Sequence, residues 1–200
     1  MQTKRTLRRG AAALALALGG AASAGATTLV RASLEDLTAN NDTIVVGEVL
    51  GASSYWNWEG TFILTDVRVA PSDVLKGRVD GRELTVTLMG GTVDDLASVV
   101  VGTAQLVPGQ SYVLFLDRDD LPGAAGVTTV RTHGQGAFDL LEGEGGAVRA
   151  VSQANRLTLM VDRQGRTEAL GGAKGIPLQE FKDSIREAVR RGAAPQEVKP

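Results

Sequence analysis

A single histidine, His133, must serve any Ser-His-Asp or Cys-His mechanism this chain could run. It stands in H-G-Q-G, a context similar to an oxyanion-hole loop, yet no G-x-S-x-G elbow accompanies it and the chain has no cysteine. A histidine at a loop or strand end accounts for it more simply. Zinc centres take three or four imidazole or thiolate ligands, so this composition does not supply one. Asp117, Asp119 and Asp120 lack the ordered oxygens and distal glutamate of a calcium loop and read as a solvated acidic turn. Glu142 and Glu144 lie two apart in a glycine-rich turn, where nothing distinguishes an acid from a base. Gly171, Gly172 and Lys174 fail as a phosphate loop, which needs Gly-Lys-Ser/Thr opening a helix, because Gly175 follows the lysine. These residues predict neither an enzyme nor a bound cofactor or metal.

Tyr55, Trp56 and Trp58 are the remaining candidates. With Phe62 they make up half of the chain's aromatic residues, gathered in G-A-S-S-Y-W-N-W-E-G-T-F between two β-branched segments. Two tryptophans in a hairpin loop need either cover or use. They fold back as a small core over a barrel mouth, as aromatics plugging small barrels do, or they present a stacking surface to a ligand. The first alternative has the edge on sequence grounds.

The residues that position this loop follow a leader. M-Q-T-K-R-T-L-R-R is basic, A-A-A-L-A-L-A-L is apolar, and small residues follow, which is the layout of a secretory signal peptide over residues 1–24. The small-x-small rule is met for cleavage after Ala24, and again after Ala26. The apolar run is too short to span a bilayer, so no stable membrane insertion is expected after cleavage. Arg8-Arg9 lacks the bulky apolar residue of a twin-arginine signal. A secreted or periplasmic location follows, and with no cysteine the exported domain must be held by packing alone. Loss of Lys4, Arg5, Arg8 and Arg9 with no acid moves the formal charge from −2 to −6, and a net acidic chain is a poor fit for nucleic acid. With 43% apolar residues, 25–192 suits one domain, and 193–200 reads as a mobile tail.

Within that domain, Ser33 and Asp36 form a capping box opening a short helix that Asn40-Asn41-Asp42 ends. A strand over 43–50, bulged at Gly47, and one over 61–70, with a phase slip between Leu64 and Val67, flank the aromatic loop, and Pro71 should stop the ladder. Asp80-Gly81 turns into a strand over 83–89, and S-V-V-V at 98–101 suggests another. Pro108-Gly109 leads into Tyr112–Leu116, a continuous apolar run expected of a central strand buried on both faces. Short segments follow at 127–132, 137–141, 147–151 and 156–161, the last paired through D-R-Q-G as a hairpin. Leu178, Phe181, Ile185 and Val189 then lie on one stripe of an amphipathic C-terminal helix ending in Arg186, Arg190 and Arg191.

This order, with I-V-V-G-E-V, the aromatic loop, V-L-K-G, V-P-G-Q-S-Y-V-L-F-L and G-Q-G-A-F, resembles a family of uncharacterised exported bacterial proteins similar in layout to netrin-like domains, the group that includes tissue inhibitors of metalloproteinases. The resemblance covers about 34–140. It implies a small mainly β, OB-like barrel, closed or partly open, with a short N-terminal helix and a C-terminal amphipathic helix. Together with the want of catalytic residues, it points to a non-enzymatic module that contacts another extracellular or periplasmic protein, an enzyme among the candidates; the aromatics at 55–58 offer the alternative of a glycan or cell-wall polymer. The zinc-chelating cysteine and disulfides of metalloproteinase inhibitors are absent, so that mechanism does not transfer.

Overall fold

In the computed structural model, which describes residues 29–30, 32–130, 134–156, 160–161, 172 and 174–192, the chain begins with β1 (Leu29–Val30) and α1 (Leu34–Ala39). Then come β2 (Thr43–Trp56), β3 (Ile63–Lys76), β4 (Leu84–Met89), β5 (Gly91–Val93), β6 (Leu96–Ser98), β7 (Ser111–Leu121), β8 (Ala124–Thr129) and β9 (Ala137–Glu142). β10 (Val148–Ser152), β11 (Met160–Val161), β12 (Ile176–Pro177) and α2 (Leu178–Arg191) complete it. The main sheet has eight strands in the order β12-β10-β9-β7-β2-β3-β4, with β8 paired to the far half of β7.

β7 is central because its residues serve two cores. Tyr112, Leu114 and Leu116 enter one with Val45, Val49, Val67, Val69 and Val86. Val113 and Phe115 enter the other with Ile44, Phe138, Phe181 and Ile185. Period-2 alternation in a strand covered on both faces gives this continuous apolar run. In the second core Phe115, Phe138 and Phe181 stack as tilted rings, the closest pair 4.7 Å apart between centroids. Phe181 belongs to α2, so this triad sets the helix on the sheet, and Lys182 and Arg186 clamp it further through Asp73 of β3 at 2.6 and 2.8 Å.

The capping box forms as the residues require, with Ser33 Oγ accepting from Asp36 N and the Asp36 carboxylate accepting from Ser33 N. The lysine of V-L-K-G completes the same helix at its other end. Lys76 Nζ donates to the carbonyls of Thr38 at 2.6 Å and Asn41 at 2.7 Å, satisfying the end of α1 where a cation is favoured. Gly77 then turns at φ 77°, where a Cβ would lie 2.3 Å from the Asp42 carbonyl.

Several expectations are corrected. The sheet is not closed into a barrel: β4 runs alongside β8, but no ladder joins them among the described residues. Gly90 and Gly91, at φ 95° and 137°, turn the chain after β4 into the separate β5–β6 hairpin, and β8 ladders with β7. Pro71 does not stop β3. It pairs with Gly47 at a register shift, where the missing amide costs little. No slip separates Leu64 from Val67, which pair in regular register with Tyr55 and Ala52; the nearest shift lies further along, between Val49 and Gly51, opposite Val69 and Arg68. Both residues are buried because both faces are covered there. Residues 99–101 form no strand, and Val99 and Val101 are exposed. The leader, His133, Gly171, the 162–165 turn and the 193–200 tail lie outside the described residues.

Candidate functional site

β2 and β3 continue their ladder as far as Trp56 and Ile63, so the loop between them is residues 57–62. Tyr55 and Trp56 are therefore strand residues, facing Leu64 and Ile63, and Trp58 and Phe62 belong to the tip. What holds the tip is Asn57, buried at 3% exposure. Its Oδ1 accepts from Thr61 N at 2.8 Å and Phe62 N at 3.1 Å, and its Nδ2 donates to Thr61 Oγ1 and to the Pro122 carbonyl, each at 3.2 Å. An asparagine in a turn commonly bonds its own backbone in this way. Here it also pins the β2–β3 tip to the β7–β8 tip, and Gly123 must lack a side chain because a Cβ would lie 2.6 Å from Asn57 Nδ2.

A second set of polar contacts braces the hairpin from the side. Ser54 and Thr65 share a 2.8 Å hydroxyl contact across the strands, Thr65 Oγ1 donates to the Gly90 carbonyl at 2.6 Å, and Ser54 Oγ accepts from Thr92 N at 3.3 Å. The start of β5 is thereby fixed against β2 and β3. Tyr55 Oη donates to Asp66 Oδ1 at 3.1 Å, and Thr87 Oγ1 donates to the same oxygen at 2.8 Å. Partial burial, and then the Asp66 charge and hydrogen bond, raise the Tyr55 phenol above its usual pKa of 10.0, so it stays a neutral donor.

The aromatic side chains do not fold into a core. Trp58 is 81% exposed, Trp56 40%, Phe62 43% and Tyr55 37%. The backbone beneath them is tied down, Trp58 stands mostly in water, and Tyr55, Trp56 and Phe62 are each partly covered and partly exposed. None of the four rings lines the cavity of about 300 Å³ between β4, residues 100–103 and the β7–β8 hairpin, whose walls include Leu88, Met89, Val100, Leu121 and Val130, with Asp119 at its lining. A second cavity of about 270 Å³ lies at the start of β4, among Asp42, Arg78, Asp80, Glu83, Asp117 and Arg118, where Arg78 and Asp80 pair at 2.8 Å.

The other sequence candidates are placed in structural roles. Asp117 and Asp119 accept from the amides of Arg118 and Asp120, and Asp120 accepts from Gly126 N at 2.7 Å. They are not in a loop but on β7, where they organise its hairpin with β8. Glu142 ends β9, and Glu144 opens a 3-10 turn. The carbonyls of Lys174 and Gly175 accept from Arg149 at 2.7 Å each, which binds that link to β10. Buried Asp139 accepts from Gln153 Nε2 at 2.8 Å, and Gln153 in turn bonds the backbone of Gln105 in both directions. Among the described residues no group of three or more His, Cys, Asp or Glu is placed to hold a metal ion, and no helix is long and apolar enough to cross a membrane.

The sequence singled out the aromatics and missed Asn57. Its only sequence signal was an asparagine between two tryptophans ahead of Glu59-Gly60, a composition typical of turns. Comparison with protein-family models and with curated proteins found no match.

Proposed function

We propose that this chain is an exported, non-enzymatic binding module with OB-like strand connectivity, and that it contacts another protein through the aromatic end of the β2–β3 hairpin. The observation that carries this reading is the exposure of Tyr55, Trp56, Trp58 and Phe62 above a tip immobilised by Asn57. Interfaces draw their binding energy from rigid aromatic side chains of this kind, because little conformational entropy is lost when they are covered. The OB-like assignment is supported by the β2-β3-β4 meander, the pairing of β2 with β7, and the position of β8 beside β4. Small barrels of that connectivity use exposed faces and loops for recognition. A non-enzymatic role is supported by how the polar side chains are used, since those of Asn57, Lys76, Asp73 and Gln153 all serve the fold.

Both tryptophans of the chain lie in this one region, so their emission reports on it alone. The free protein is expected to emit as exposed indole and to shift to the blue when a partner from its own culture medium covers the tip. Trp56→Ala with Trp58→Ala should abolish retention of that partner and leave the melting temperature nearly unchanged. A double variant that retains the partner as well as the wild type removes the aromatic end from this account. A blue shift on adding soluble cell-wall glycan, with no protein retained, replaces the protein partner by a polysaccharide.

A further inference from the structure

Two hairpin tips and the first strand of a third hairpin meet at the aromatic end. Asn57 ties the β2–β3 tip to Pro122 of the β7–β8 tip, and Ser54 ties it to Thr92 of the β5–β6 hairpin. The charges these tips carry are of one sign. Glu59 lies in the β2–β3 loop and Asp94 and Asp95 in the β5–β6 turn, with Asp66 on β3 and Asp119 and Asp120 on β7 close to their tips, and the chain has no lysine or arginine between 32 and 67, between 83 and 117, or between 119 and 130. Arg68, Lys76, Arg78, Arg82 and Arg118 interrupt these stretches; Arg82 stands just before β4, Lys76 bonds the end of α1, and Arg78 pairs with Asp80. Arg68 pairs with Glu83 at 3.3 Å, and Arg118 lines the second cavity, at the start of β4. Leu96, Val99 and Val101, in and just after the β5–β6 hairpin, add exposed apolar side chains.

Indole faces beside carboxylates, with exposed apolar side chains on the same hairpins, match one chemistry well. Lysine and arginine heads are attracted to the negative face of an aromatic ring, tryptophan best of all, and their aliphatic stems lie along apolar side chains. Carboxylates of a single sign add long-range attraction for a cationic segment and speed its encounter. A neutral sugar gains nothing from that field. We propose that this end binds a cationic, extended segment of a protein partner, its basic heads over Trp56 and Trp58 and among Glu59, Asp94, Asp95 and Asp120. The proposal rests on the protein-binding reading above and specifies the partner's charge.

Oligolysine, oligoglutamate of the same length and a neutral glucan oligosaccharide, each titrated against tryptophan emission of the exported protein, test it. Oligolysine should shift the emission with an affinity that falls as salt is raised, and the other two should not. Replacing Glu59→Gln, Asp94→Asn and Asp95→Asn together should weaken oligolysine roughly tenfold, as expected from losing several exposed charge contacts. Glu187→Gln, on α2, should change nothing. Equal binding of oligoglutamate, or salt-independent binding of oligolysine, overturns the proposal on the wild-type protein without reference to any variant. If oligolysine fails while a natural partner is still held through Trp56 and Trp58, the cationic segment is wrong and the protein-binding reading stands. If the glucan shifts the emission and oligolysine does not, both are wrong.

Discussion

Asn57 shows how one buried amide can set the presentation of four exposed rings. Its side chain makes contacts to the Thr61 and Phe62 amides, the Thr61 hydroxyl and the Pro122 carbonyl, so it joins two loops that are far apart in the chain. Asn57→Ala removes all of them and leaves the tip amides without their acceptor. The expected loss is about 1 to 3 kcal/mol, the cost of unsatisfied buried polar groups, measured by urea unfolding. Asn57→Asp keeps the acceptor for both amides and loses the Nδ2 donor to the Thr61 hydroxyl and the Pro122 carbonyl, so it should cost less than the alanine; the opposite order would mean that those donor contacts, and not the amide acceptor, hold the tip. The aromatic residues were legible in the sequence because their number in one loop is unusual. Asn57 and Lys76 were not, since each acts on backbone atoms whose proximity only the fold creates. Lys76 caps a helix that ended well before it in the chain, and in V-L-K-G it looks like any surface lysine.

At the scale of elements, α2 is held by packing and by charge together. Phe181 is fully buried against Phe115 and Phe138, and Phe181→Ala should cost about 3 to 5 kcal/mol in an unfolding titration, against below about 1 kcal/mol for an appendage. The charge clamp has a pH signature. The hydrogen bond from Lys182, with further help from its charge and from Arg186, lowers the pKa of Asp73 below its ordinary value of 3.8 and outweighs the opposing effect of partial burial. A depressed carboxylate contributes stability that is complete above its unfolded pKa and is lost as the pH falls through the lowered folded value. The stability difference between wild type and Asp73→Asn should therefore be constant above about pH 5 and shrink below pH 3.8, read from urea midpoints at each pH. A difference that persists undiminished in strong acid would assign the clamp's role to geometry and not to charge. The stripe of α2 and the continuous run of β7 were legible because each is a local period. Pro71 misled because it was read without its partner strand, whose register shift at Gly47 makes the missing amide tolerable.

Over the whole molecule, one sheet carries two cores, and β7 supplies alternate side chains to both. Closure of the sheet was not legible, because it depends on whether β4 and β8 join. That is a contact between strands far apart in the chain, which no local period records. The seam between them is not laddered among the described residues, so the two cores are coupled mainly through the backbone of β7 and its neighbours β2 and β9. Leu114 faces the core enclosed by β2, β3 and β4, and Phe115 faces the core under α2; both are fully buried. Removing either side chain, as Leu114→Ala or Phe115→Ala, should cost roughly 2 to 5 kcal/mol. Because the strand is shared, each loss should destabilise both cores. Near-ultraviolet circular dichroism follows Tyr112, buried in the first core, together with the β2–β3 tip, and far-ultraviolet circular dichroism follows the sheet and α2, so in both variants the two signals should move together to lower urea with coincident midpoints. If Phe115→Ala lowers the far-ultraviolet midpoint while the near-ultraviolet midpoint stays at its wild-type value, the helix-side core melts on its own, and β7 joins two cores without making them a single cooperative unit.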